Sequence, residues 1–186
     1  MSKWINSTIT DPVFSAMDDA FDAISLADGL AVCTAQPTSY FQAINPDAWS
    51  AEAAYLLDDA VRPTVTRNGF TYVCTTAGTS GTSEPVWPVT VGDTVTDGTV
   101  VWTCFACLCV GNVSLTGSDF VKVDSELTVM PKTGITAHSA GSMTHVVLIR
   151  SGTKALILTS TCTAQAVAAG NIINTAAFTV SLAGPV

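Results

Sequence analysis

Charge is what this sequence has least of. Charged residues make up 12% of its 186 positions, roughly half the share usual in a soluble domain. Bases are the scarcer sign, 7 against 15 acids, for a net charge of −8. Such a surface repels polyphosphate, so nucleic acid is not an expected partner. With 48% hydrophobic residues, the shortage of charge implies a surface largely covered by neighbouring molecules. Long apolar runs are missing as well. The stretch Val146–Ile149 is strand-sized and ends at Arg150, so no membrane span is expected. The opening MSKWINSTITDP has one lysine and no apolar stretch, which predicts no secretory signal. The sequons at Asn6 and Asn112 therefore predict no glycan.

Catalytic signatures are equally sparse. The two histidines, His138 and His145, lie in Ser/Thr/Gly surroundings without metal-ligand spacing, and read as core or turn residues. No G-x-S-x-G, Walker loop, H-E-x-x-H or dinucleotide fingerprint occurs. Asp18, Asp19 and Asp22 fall on a helix surface, and Asp58 and Asp59 flank a turn. No enzyme, cofactor or metal is expected.

What is present is punctuated β sequence behind one helix. Asp11 suits an N-cap and Pro12 the first helical position; Val13, Met17, Ala20, Phe21 and Ile24 recur at helical spacing. This predicts an amphipathic helix over about 11–25. Leu30–Ala35 reads as a strand stopped by Pro37. Further short strands are expected at Asn112–Leu115, Phe120–Val123, Glu126–Met130, Thr144–Ile149, Ala155–Ser160 and Phe178–Leu182, separated by Gly/Ser/Thr turns. Spacing of that kind indicates an antiparallel sandwich, with a hairpin turning at Ser151-Gly152-Thr153.

Residues 48–106 differ in composition: Trp49, Trp87 and Trp102 fall there, with Tyr55 and Tyr72. They read as a small aromatic β-module inserted into the outer sandwich of residues 1–47 and 107–186. Its strands are expected at Val61–Val65, Phe70–Thr75, Thr94–Thr96 and Val100–Phe105, with hairpin turns at Asn68-Gly69, in the type I′ form, and at Asp97-Gly98. Exposed aromatic faces stack on sugar rings, which makes Trp87, Trp49 and Tyr72 candidates for glycan binding. The competing reading is that so small a module needs its rings for its own core. Trp102 alternates with Val100 and fits the core; Trp87, between Pro85 and Pro88, is expected on an exposed loop.

Six cysteines stand at 33, 74, 104, 107, 109 and 162. Free thiols, a zinc knuckle built on Cys104, Cys107 and Cys109, and thiols that pair after release from the cytoplasm are all compatible with the spacing. The tetrapeptide CTAQ occurs at Cys33–Gln36 and again at Cys162–Gln165. Two strands lying side by side, with Cys33 near Cys162, would account for the echo; so would two buried thiols packed as small hydrophobes.

The pattern V-R-P-T…N-G-F-T-Y…T-T-A-G-T-S-G…E-P-x-W-P…G-x-T-V-x-D-G-T-V-x-W, from Val61 to Trp102, resembles a small module of tailed-bacteriophage structural proteins. It is also somewhat similar to the aromatic β-modules of chitin-binding type. The flanks, Leu30–Tyr40 and Thr144–Asn171, are similar to small phage virion proteins that lack the insert. The resemblance implies a capsid decoration or minor capsid protein, assembled in the host cytoplasm and located in the virion. Its implied partners are the major capsid protein or other virion proteins and further copies of itself, with a homotrimer expected at threefold sites. A neck, collar or tail position, or a fibre-associated protein binding host-surface glycans, are the alternatives. A virion leaves the cytoplasm after assembly, so its thiols can oxidise late. On that footing Cys74 and Cys104 are expected to pair within the module. Cys107 and Cys109 point to opposite faces if extended, leaving one of them for an intermolecular disulfide.

Overall fold

The computed structural model describes residues 22–123 and 126–181. The protein is mainly β and its sheets are almost wholly antiparallel. Strand β1 (Gly29–Cys33) leads into a run of strands close together in sequence: β2 (Asp47–Ala48), β3 (Ala54–Tyr55), β4 (Ala60–Arg62), β5 (Phe70–Thr76), β6 (Gly78–Thr79), β7 (Thr94–Asp97) and β8 (Val100–Ala106). The chain then returns through β9 (Cys109–Ser114), β10 (Phe120–Val123), β11 (Glu126–Val129), β12 (Lys132–Thr136), β13 (Gly141–Arg150), β14 (Ala155–Val167), β15 (Ile172–Thr175) and β16 (Phe178–Ser181). Of the expected N-terminal helix, residues 22–25 are helical; the earlier positions lie outside the described residues.

Strands β1 and β9 pair antiparallel, Gly29 opposite Ser114 and Cys33 opposite Cys109, although the whole run β2–β8 separates them in sequence. They belong to a four-stranded sheet in the order β14-β13-β1-β9. One face of it presents Leu30, Val32 and Leu148 to Leu127 and Val129 of the sheet β10-β11-β16, and to Ile135 and Ile173 of the pair β12-β15. Two apolar faces closed on each other make the sandwich, and Ile24 and Ala27 are buried in the same core. The opposite face carries Ala31, Cys33, Val147 and Ile149 against Tyr40 and Ala43, beside a 3-10 turn at Tyr40–Gln42.

Residues 47–106 build their own sheet, ordered β2-β4-β5-β8-β7, with β2 parallel to β4. Alternation works as expected in β8: Val100, Trp102 and Cys104 are all fully buried on one face.

Several local expectations need correction. Strand β4 ends at Arg62 instead of Val65 because Pro63 cannot continue the ladder. A longer loop therefore separates β4 from β5, and Asn68-Gly69 is not a type I′ turn: Gly69 has φ +83° but Asn68 is not left-handed. The Asn68 side chain instead accepts from Phe70 N at 3.2 Å and donates to Tyr72 Oη at 2.6 Å. The second hairpin turns on Gly98-Thr99, one residue later than expected, with Asp97 opposite Val100 and φ +61° at Gly98 alone. Strand β14 runs on to Val167 instead of Ser160, since nothing in TCTAQAV breaks a strand before the turn near Gly170.

Candidate functional site

The rings that marked the module hold it together. Tyr72 and Trp102 are fully buried and Trp49 is 7% exposed. Trp87 does lie on a loop, but that loop folds back over the sheet. Its ring stacks on Tyr72, with centroids 4.2 Å apart, and meets Trp102 edge-on at 6.0 Å. Tyr72 Oη donates to Pro88 O at 2.8 Å, and Trp87 Nε1 donates to Glu84 Oε1 at 2.7 Å. Burial pushes the Tyr72 phenol up to about 12, so it stays a donor. Burial alone would raise the Glu84 pKa; hydrogen bonds from Thr64 and Trp87 outweigh it and hold the carboxyl below its usual range. Of the three glycan candidates, two are core residues and the third has one face covered by Tyr72.

At the centre of these rings is a residue that sequence reading did not single out. Asp97 is 4% exposed. Its Oδ2 accepts from Trp49 Nε1 at 2.7 Å and Trp102 Nε1 at 3.2 Å, and its Oδ1 accepts from Gly81 N at 2.7 Å. An aspartate before a glycine reads as turn chemistry, and it does sit at the turn. The available signal was that buried indoles each need an acceptor, and Asp97 is one of the acids of the module that could supply one.

All six cysteines are free thiols. Cys74 lies opposite Trp102, and Tyr72 lies opposite Cys104. Cys74 and Cys104 are therefore diagonal on one face, typically about 7–8 Å apart, beyond disulfide reach. The CTAQ echo does not mark neighbours: β13 runs between β1 and β14, with His145 between Cys33 and Thr161. The register instead sets Cys33 against Cys109, with Cys107 packed beside them. Cys107 and Cys109 do not diverge, because residues 107–108 break the strand between β8 and β9. Cys107 Sγ points toward Ile44 O at 3.6 Å, and Cys109 is 3% exposed. Neither is presented for an intermolecular bond as expected; Cys162 on β14 is the exposed thiol.

Burial pushes the Cys33 thiol up to about 12, helped by Cys107, and raises Cys109 well above an ordinary thiol. At pH 8 a thiol at 12 holds on the order of a thousandfold less thiolate than one at 9. We expect iodoacetamide to label Cys162 first in the native protein and Cys33 and Cys109 last, with all six reacting in denaturant. Peptide mass spectrometry reads the order, and early labelling of Cys33 would refute the packing.

The histidines have local partners. Thr144 Oγ1 donates to Thr34 O at 2.7 Å, so its contact with His145 Nδ1 at 2.8 Å is accepted from the ring. Such a hydroxyl is a strand tether, not an activated nucleophile. His138 Nε2 meets Asn112 Oδ1 at 2.7 Å, and burial, then Arg67 and Arg62, hold its pKa below the usual value. A cleft of about 930 Å³, whose lining includes Tyr40, Tyr55 and Lys154, also borders Asp28 and Asp59. Both carboxylates are engaged: Asp28 accepts from Ser151 N at 2.8 Å and Asp59 from Leu56 N at 2.8 Å. Among the described residues no three of His, Cys, Asp and Glu are grouped to hold a metal ion.

The feature without an internal use lies on β14. No charged residue occurs after Lys154, and Ser160–Ala166 are all exposed. Beside this stretch is a groove of about 370 Å³, with Val32, Met143, Ile173 and Phe178 in its lining. No protein-family model matches the chain, and no curated protein matches it.

Proposed function

We propose that this protein is a structural subunit of a tailed-phage virion, a capsid decoration or minor capsid protein that acts by being buried among neighbouring subunits. The observation that carries the reading is the uncharged, exposed stretch of β14 with its adjoining groove, in a chain whose net charge is −8. An exposed stretch of surface that avoids charge is suited to contact with a neighbouring subunit. The resemblance of Val61–Trp102 to a phage structural module supports the same reading. The aromatic rings do not favour the glycan-binding alternative, since Asp97, Glu84 and Tyr72 engage them internally. The module then serves as a compact body carried on the sandwich.

The test is association. Purified protein added to phage shells prepared without it is expected to co-sediment, and quantitative mass spectrometry of intact particles counts the copies. Hundreds per particle place it on the shell; one ring's worth places it at the neck or tail. A chain that sediments alone with every virion preparation would end the proposal.

A further inference from the structure

We infer that the outer edge of β14 is a self-pairing interface, through which two copies of the chain join antiparallel and continue the four-stranded sheet across a twofold axis. The inference deepens the assembly reading by naming the surface, and it stands on the sheet geometry.

β14 is the end strand of the sheet β14-β13-β1-β9, and its ladder is with β13. Among the described residues its outer edge makes no backbone hydrogen bond. At the far end of the sheet, by contrast, β9 is covered: Val110 O accepts from His138 N at 2.6 Å. The exposed edge is also long, Ala155–Val167. Proteins that stay single guard such edges with lysine, proline, an inward charge or brevity. ALILTSTCTAQAV has no charge and no proline and is not short; the one guarding device it carries is bulging, its register against β13 shifting between Leu156 and Leu158 and again between Thr161 and Gln165.

The occupant is argued from charge and symmetry. A chain of net charge −8 repels its own copies over most of its surface, but the edge from Ala155 onward is neutral. Two copies can approach there without like-charge cost. Antiparallel pairing of a strand with itself is isologous, residue i of one copy meeting residue j of the other and j meeting i. Centred on Thr161, the midpoint of β14, it brings the two Cys162 residues close to the axis, where the bulge between Thr161 and Gln165 begins. An edge that pairs with itself closes at two copies, not at the three expected from shell geometry.

The experiment uses the full chain, a short bismaleimide and sedimentation velocity. The wild type is expected to sediment as a dimer at micromolar concentration and to cross-link through Cys162, with the adduct lost in Cys162→Ser. Thr161→Lys, at an exposed position, sets like charges opposite each other at the axis, and the double variant Thr161→Lys/Thr163→Lys, the second position also exposed, adds a further pair beside them. Each is expected to weaken the dimer about tenfold or more, with circular dichroism unchanged. Thr133→Lys, exposed on β12, is expected to leave it intact. A monomer, or a dimer that tolerates both β14 lysines, overturns the inference. A monomer that still binds shells would leave the assembly reading standing, and a dimer that joins no particle would do the reverse.

Discussion

Replacing Asp97 by alanine is expected to unfold the aromatic module. The carboxylate serves three donors at once, the indoles of Trp49 and Trp102 and the backbone N–H of Gly81. Trp102 is fully buried and Trp49 nearly so, so water cannot take over without opening the core. Each buried donor left unpaired costs about 1–3 kcal/mol, and hydrogen bonds to a charged acceptor lie at the upper end. Three donors sum to roughly 3–9 kcal/mol, while a core of this size seldom supplies more than about 3–5 kcal/mol. Near-ultraviolet circular dichroism and tryptophan fluorescence should report the loss. Asp97→Asn sharpens the test: its single carbonyl oxygen serves some of the donors while its amide adds another, so it should fall between wild type and Asp97→Ala. A native fluorescence spectrum in Asp97→Ala would show that the carboxylate is not what organises the rings.

The two variants also mark where sequence reading reaches its limit. Strand identity was largely legible, because alternation such as Val100, Trp102, Cys104 is a local pattern and turns carry their own residues. So was the competition over the rings, since a small module must bury something large. Strand order was not legible. Cys33 faces Cys109 across more than the whole module, and β13 separates the two CTAQ copies; no local pattern encodes either. The placement of Trp87 was legible only in part: it is less buried than Trp49 and Trp102, but its stacking on Tyr72 was not legible. Its prolines predict a loop, correctly, but the return of that loop onto Tyr72 depends on Glu84, Thr64 and Pro88 meeting partners distant in sequence. Asp97 was hidden by a plausible local role that it also performs.

The second large effect is expected at the glycine beside it. Gly98→Ala meets two separate penalties. The backbone there is left-handed, φ +61°, which costs an L-residue about 1–2 kcal/mol. A Cβ would also lie 2.4 Å from Thr79 O and 2.9 Å from Gly81 N. Those are main-chain atoms, and the segment that carries them cannot easily retreat: Gly81 N is held by Asp97 Oδ1, and Ser80 Oγ donates to Ser50 O at 2.7 Å. Crowding a packed site adds about 1–3 kcal/mol, so Gly98→Ala should destabilise by roughly 2–5 kcal/mol in total, measured by urea unfolding followed through tryptophan fluorescence. Gly92→Ala separates the causes. It has φ +90° and nothing within 4 Å of its would-be Cβ, so it carries the backbone cost without the collision. A clear excess of Gly98→Ala over Gly92→Ala measures how tightly β6 and the turn after β7 are pressed together; equal losses would mean that the segment 79–81 yields, and that Asp97 does not hold it in place.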